Sequence, residues 1–159
     1  MINLKKQEGQ TIELPGGAVL ILRPVTTPSY EAARAVAERT VRELRETPEK
    51  AAELGFQADD FANDDTREGI YLAHLIGELG VRHITAWEGI GDDDGLAPVT
   101  PENIRKLLCN PVAARVFYRN VTSGLFESFQ LKKDLGPVAN GTSSAEPAPS
   151  TATDAKTPD

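Results

Sequence analysis

Apolar residues first gather in two short runs, Ile12 to Leu14 and Ala18 to Leu22, on either side of Pro15-Gly16-Gly17. Glycine permits the positive φ of a tight turn, so the stretch predicts a β-hairpin. Val19 to Leu22 is continuously apolar, which predicts a strand buried on both faces or lying beneath a helix. The period then lengthens. Tyr30, Ala33, Val36, Ala37, Val41 and Leu44 recur at helical spacing and predict a helix from about Pro28 to Arg45 with that stripe inside. A short helix over Pro48 to Leu54 should close at Gly55. Phe56 and Phe61 should pin the polar loop "FQADDFANDD". A third helix, from about Thr66 to Leu79, carries Leu72, Leu75, Ile76 and Leu79 and should stop at Gly80. "VRHITAWEGI" alternates like a strand, with Val81, Ile84 and Ala86 on one face. Helices over Pro101 to Cys109 and Pro111 to about Lys132 complete the pattern.

One device opens these helices repeatedly: a capping side chain followed by proline, at Thr27-Pro28, Thr47-Pro48, Thr100-Pro101 and Asn110-Pro111. The capping oxygen accepts an orphan helix N–H, and proline gives up a donor that had no partner. From Gly136 onward there is no aromatic residue and no period, and four prolines interrupt the chain. Such a segment buries too little apolar surface to offset its ordering entropy. The expected fold is therefore α+β: mainly helical, with a small N-terminal β-hairpin and one further strand in a single domain over 1–135, followed by a disordered tail over 136–159.

Composition narrows the function classes. The 159 residues carry a net charge of −7, and acidic positions are spread along the chain. That surface repels phosphate backbones and argues against a nucleic-acid partner. No apolar run approaches the ~20 residues of a membrane helix, and no secretory leader is recognisable, so a soluble cytoplasmic protein is expected. The single cysteine, Cys109, excludes an internal disulfide and a multi-cysteine zinc site, and its apolar surroundings suggest a core residue.

The chemistry-bearing candidates are few. "GIGDDDG" invites a calcium-loop reading with Gly95 at loop position six, which places Asp92 and Asp94 well. The same register puts Ile90 and Pro101 where an aspartate and a bidentate glutamate are required, so the match fails at both ends. Three adjacent aspartates on a polar turn also lack the burial that tunes a catalytic pair. A turn leading into the Thr100 cap is the simpler reading. His74 and Glu78 stand at metal-ligand spacing on a helix with His83 beyond, but no third histidine exists. No nucleophile elbow, phosphate loop, dinucleotide fingerprint or zinc signature occurs, so no cofactor or metal is expected and an interaction protein is favoured over an enzyme.

The segment "HITAWEGIGDDDGLAPVTPENIRKLL" resembles one found in phage and prophage tail assembly chaperones. Trp87, Gly89, Ile90, Asp92, Asp94, Gly95, Pro98, Thr100, Pro101, Glu102, Asn103, Leu107 and Leu108 carry the likeness. The aromatic helix "FYRNVTSGLFESF" and the Ser/Pro/Thr tail are also similar to that group. The resemblance is detailed over roughly a quarter of the chain and general elsewhere. It implies a non-enzymatic protein that binds the helical tape-measure protein and keeps it soluble while the tail tube polymerises. It further implies contact with the tail-tube protein through the C-terminal region, and self-association is a third expectation. Trp87, Phe117, Tyr118, Val121, Phe126 and Phe129 are the candidate partner-binding residues, because the aromatic stripe is wider than one buried face. A structural tail or head–tail junction subunit is the alternative. A small enzyme or metal-binding regulator using the aspartate turn with His74 or His83 is a third reading.

Overall fold

The computed structural model describes residues 8–92 and 95–134; the side chains of Asp92 and of residues 124–134 lie outside that description. The tail expected over 136–159 therefore falls outside the described residues. Strands β1 (Gln10–Glu13) and β2 (Val19–Leu22) form the hairpin, with Ile12 opposite Leu20, and Gly16 and Gly17 both turn at positive φ. Strand β3 (Ile84–Glu88) pairs antiparallel with β2, giving a sheet in the order β1-β2-β3. β2 is thus the central strand, yet only its inner face is covered. Leu20 and Leu22 are buried while Ile21 is exposed, so burial on both faces does not occur. The helices pack on one side of the sheet, and no described residue covers the other.

Five helices follow the predicted order: α1 (Thr27–Glu46), α2 (Pro48–Glu53), α3 (Asp64–His83), α4 (Pro101–Leu108) and α5 (Pro111–Asp134), with a 3-10 turn at Ala58–Phe61. The whole predicted stripe of α1 is buried or half-buried. Its cap differs by one residue: Thr26, not Thr27, accepts from the Ser29 N–H, and the Ser29 side chain returns the bond in a capping box. Thr47 makes no side-chain cap; its N–H closes α1 on the Glu43 carbonyl. The other two caps form. Thr100 accepts from the Asn103 N–H, and Asn110 from those of Val112 and Ala113.

α3 departs most from expectation. Asn63 caps it, and it runs through Gly80 to His83, so Val81 and His83 are helical rather than on a strand. Gly80 does not stop the helix because it serves as a contact point. A β-carbon there would overlap Leu108 Cδ1 and lie 2.9 Å from Ile104 Cγ2, so glycine lets α4 press against α3. The main core joins Ile12, Leu20, Leu22, Ala33, Ala37, Leu75, Leu79, Ile84, Ile104, Leu108, Phe117 and Val121 between sheet and helices. A smaller cluster of Leu44, Ala51, Phe61 and Ile70 holds α2 and the 3-10 turn, with Phe56 edge-on to Phe61 at 6.1 Å. Cys109 lies outside both and is exposed, contrary to the core position expected for it, because α4 ends at Leu108 and turns its next residue outward.

Candidate functional site: a groove beside the third helix

The acidic stretch resolves into architecture. Gly91–Asp92 and Gly95–Leu96 pair as the two short strands β4 and β5; Asp93 and Asp94 lie outside the described residues. A β-carbon on Gly91 would collide with the Gly95 carbonyl, so that close approach requires glycine. Trp87 is half-buried against the main core, and its indole N–H donates to the Ala97 carbonyl at 2.8 Å, fastening the return strand to the sheet. The Asn103 side chain donates to the Pro98 carbonyl at 3.0 Å before the Thr100 cap opens α4. Trp87→Phe keeps the packing and loses that bond. A drop of about 1 kcal/mol in unfolding free energy is expected, measured by urea titration.

The remaining predicted residues separate. Phe117 is fully buried and Val121 nearly so; both lie in the core and present nothing to a partner. The described part of α5 meets both the sheet and the other helices, so Phe117, Tyr118 and Val121 are all at least half-buried. Tyr118 is half-buried, and its phenol is pushed up to about 12 by burial and, second, by its hydrogen bond with Tyr30. Phe126 and Phe129 sit on α5, but their side chains lie outside the described residues.

What sequence reasoning missed is a groove of about 840 Å³ between α3 and the first turns of α5, with the end of α4 between them. α3 supplies Gly69, Leu72, Ala73, Ile76 and Gly77 to its lining, α5 supplies Ala114 and Tyr118, and Leu54 and Phe56 close one end. Leu54 and Leu72 are 57% and 37% exposed within it. Spacing alone assigned Leu72 to the buried face, because it shares a period with Leu75 and Leu79. Gly69, Ala73 and Gly77 recur four apart, a signal legible in the sequence only to someone looking for a shallow helix face.

Charges ring this groove. Arg105 bonds Glu78 at 3.0 Å, and Arg82 approaches the same carboxylate at 3.8 Å. Arg115 and Arg119 stand exposed on the α5 side. His74 lines the groove, and burial pulls its imidazole below the ordinary 6.5, opposed by Glu78 and assisted by Arg105. His83 is buried elsewhere, at the end of α3, with neither ring nitrogen hydrogen-bonded among the described residues. Burial depresses it as well; the nearby backbone of Arg23 and Pro24 favours the charged ring but closes no hydrogen bond.

Both histidines thus bind protons less readily folded than unfolded. Their contribution to stability is complete above pH about 6.5 and is lost as pH falls through their depressed values. The melting temperature should therefore decline on acidification from about pH 7 to 5. His83→Leu should flatten that decline and leave stability at neutral pH equal or higher, since it removes two unsatisfied buried atoms. An unchanged pH slope in His83→Leu would show that this residue is not the source.

No group of three or more histidine, cysteine, aspartate or glutamate side chains is placed to hold a metal among the described residues. No described helix is long and apolar enough to cross a membrane. No family model matches the chain, and no curated protein or solved structure matches it either.

Proposed function

We propose that this chain is a non-enzymatic tail assembly chaperone that holds helical segments of a tape-measure protein and keeps them soluble while the tail tube polymerises. The observation that carries the reading is the open groove beside α3, which exposes leucines on a small-residue floor and is wide enough for an amphipathic helix. Apolar patches left open at a rim of charge mark surfaces awaiting a partner. The likeness of the 83–108 segment to chaperones of long-tailed phages supplies the partner's identity. That segment itself forms the turn and the α4 cap, so it supports the groove from behind and does not line most of it.

Co-expression with the longest helix-rich protein encoded next to this one tests the reading. The partner should be soluble and co-purify only when this chain is present. A partner that is insoluble in both cases, with nothing co-purifying, overturns it. Recovery of this chain from purified particles would point instead to a structural tail subunit.

A further inference from the structure

We infer that the groove between α3 and α5 is specific for an amphipathic helix whose polar border is acidic, set by the guanidinium groups of Arg115 and Arg119. This deepens the chaperone reading and rests on it for the partner's biological identity, though not for its chemistry.

The electrostatic balance of the groove is opposite to that of the molecule. The chain carries −7 overall, whereas the groove lining has three arginines against one carboxylate, Glu78. Glu78 is already engaged by Arg105 and Arg82. Arg115 and Arg119 form no ion pair among the described residues. In a chain of net charge −7, these two cations stand uncompensated among the described residues beside an apolar opening. A helix bringing carboxylates alongside its apolar stripe satisfies both features at once, while a basic one would meet like charge.

The dimensions suit one helix. Gly69 to Gly77 spans about 12 Å at 1.5 Å per residue, which matches two turns of apolar anchors at i, i+4 and i+7. Gly69 has open space where its β-carbon would be, and a β-carbon at Gly77 would make only ordinary contact with the Arg105 stem at 3.8 Å. The floor is therefore shallow enough for a partner's leucines to descend beside Leu72.

Two other occupants fit less well. The chain's own residues 136–159 are acidic but hold no leucine, isoleucine, methionine or aromatic residue to fill an apolar groove. A second copy docked groove to groove would bring Arg115 and Arg119 against their own equivalents.

The test uses the full chain and two fluorescein-labelled 21-residue helical peptides with identical leucine stripes, one bordered by glutamates and the other by lysines. Anisotropy should show the glutamate peptide binding about tenfold tighter at low salt, the preference fading by about 1 M salt as charges are screened. Reversing the rim with Arg115→Glu and Arg119→Glu together should invert the order. Ala73→Trp, melting like the wild type, or Gly69→Leu as a second route, melting at or above it, should block both peptides.

Equal binding of the two peptides overturns the proposal, as does binding that neither groove-filling variant disturbs. So does a full-chain dimer that Ala73→Trp dissociates, or tighter binding of a synthetic 136–159 peptide than of the glutamate helix. Loss of charge preference with successful co-expression sinks this inference alone. Charge preference without any co-purifying partner sinks the tail-assembly reading and leaves the groove's specificity standing.

Discussion

Phe117→Ala should cost about 3–5 kcal/mol of unfolding free energy, the range for deleting a fully buried aromatic side chain. The ring has no exposed surface and lies among the sheet and helix residues of the main core. Its loss leaves a cavity where α5 meets the rest of the fold, and domains of this size have only about 5–15 kcal/mol in total. A chemical denaturation curve should shift accordingly, whereas Arg119→Ala, two residues along the same helix and exposed, should stay within about 0.5 kcal/mol of wild type. If Phe117→Ala cost no more than Arg119→Ala, α5 would not be anchored as described, and one wall of the groove would lose its support.

Gly80→Val is the second large effect. α3 and α4 meet at this residue, and any β-carbon would strike Leu108 and Ile104, both buried. Valine gains helix propensity over glycine but must displace two packed side chains, and overpacking of this kind costs about 1–3 kcal/mol. Gly69→Ala on the same helix should do the reverse. Its β-carbon meets nothing, so a gain of about 1 kcal/mol is expected from propensity alone. Opposite shifts in melting temperature from two glycines eleven residues apart on one helix would confirm that Gly80 is a contact and Gly69 a piece of open surface.

That contrast shows where sequence reasoning succeeded and where it ran out. Period and punctuation were enough for the hairpin, the order of five helices, and the caps at Thr100 and Asn110, because each depends on residues close together in the chain. Gly80 was read as a stop because glycine followed by a β-rich run usually ends a helix. Its actual role depends on α4, more than twenty residues later, and nothing local reveals that. Cys109 failed for a related reason: its apolar neighbours Leu107 and Leu108 are inward, but the helix has already ended.

The groove escaped notice by the same limitation. Aromatic residues attracted the reading, and Phe117 and Val121 proved to be core while Trp87 fastens a turn. Of the four candidates whose side chains are described, half-buried Tyr118 alone lines the groove. The groove's other determinants are individually unremarkable: Gly69, Ala73 and Gly77 leave space, Leu54 and Leu72 are ordinary leucines, and Arg115 and Arg119 acquire meaning only when set beside them. A concave surface is a property of several elements together, and its signal in one sequence is weak. The motif that resembles the phage chaperones rests, by contrast, mostly on local bonds. Gly89 at positive φ approaches Ala18 of the hairpin, Pro98 receives Asn103, and Thr100 caps α4, so its spacing is that of a turn and a helix start.

The most direct test of the account is the solubility of the helix-rich partner when it is co-expressed with wild-type chain and with Ala73→Trp. Ala73 is exposed on the groove floor, so tryptophan there fills the opening without entering the core. The account predicts a soluble, co-purifying partner with wild type and an insoluble one with a folded Ala73→Trp chain. A partner held equally well by both would place the binding surface elsewhere and contradict the central claim.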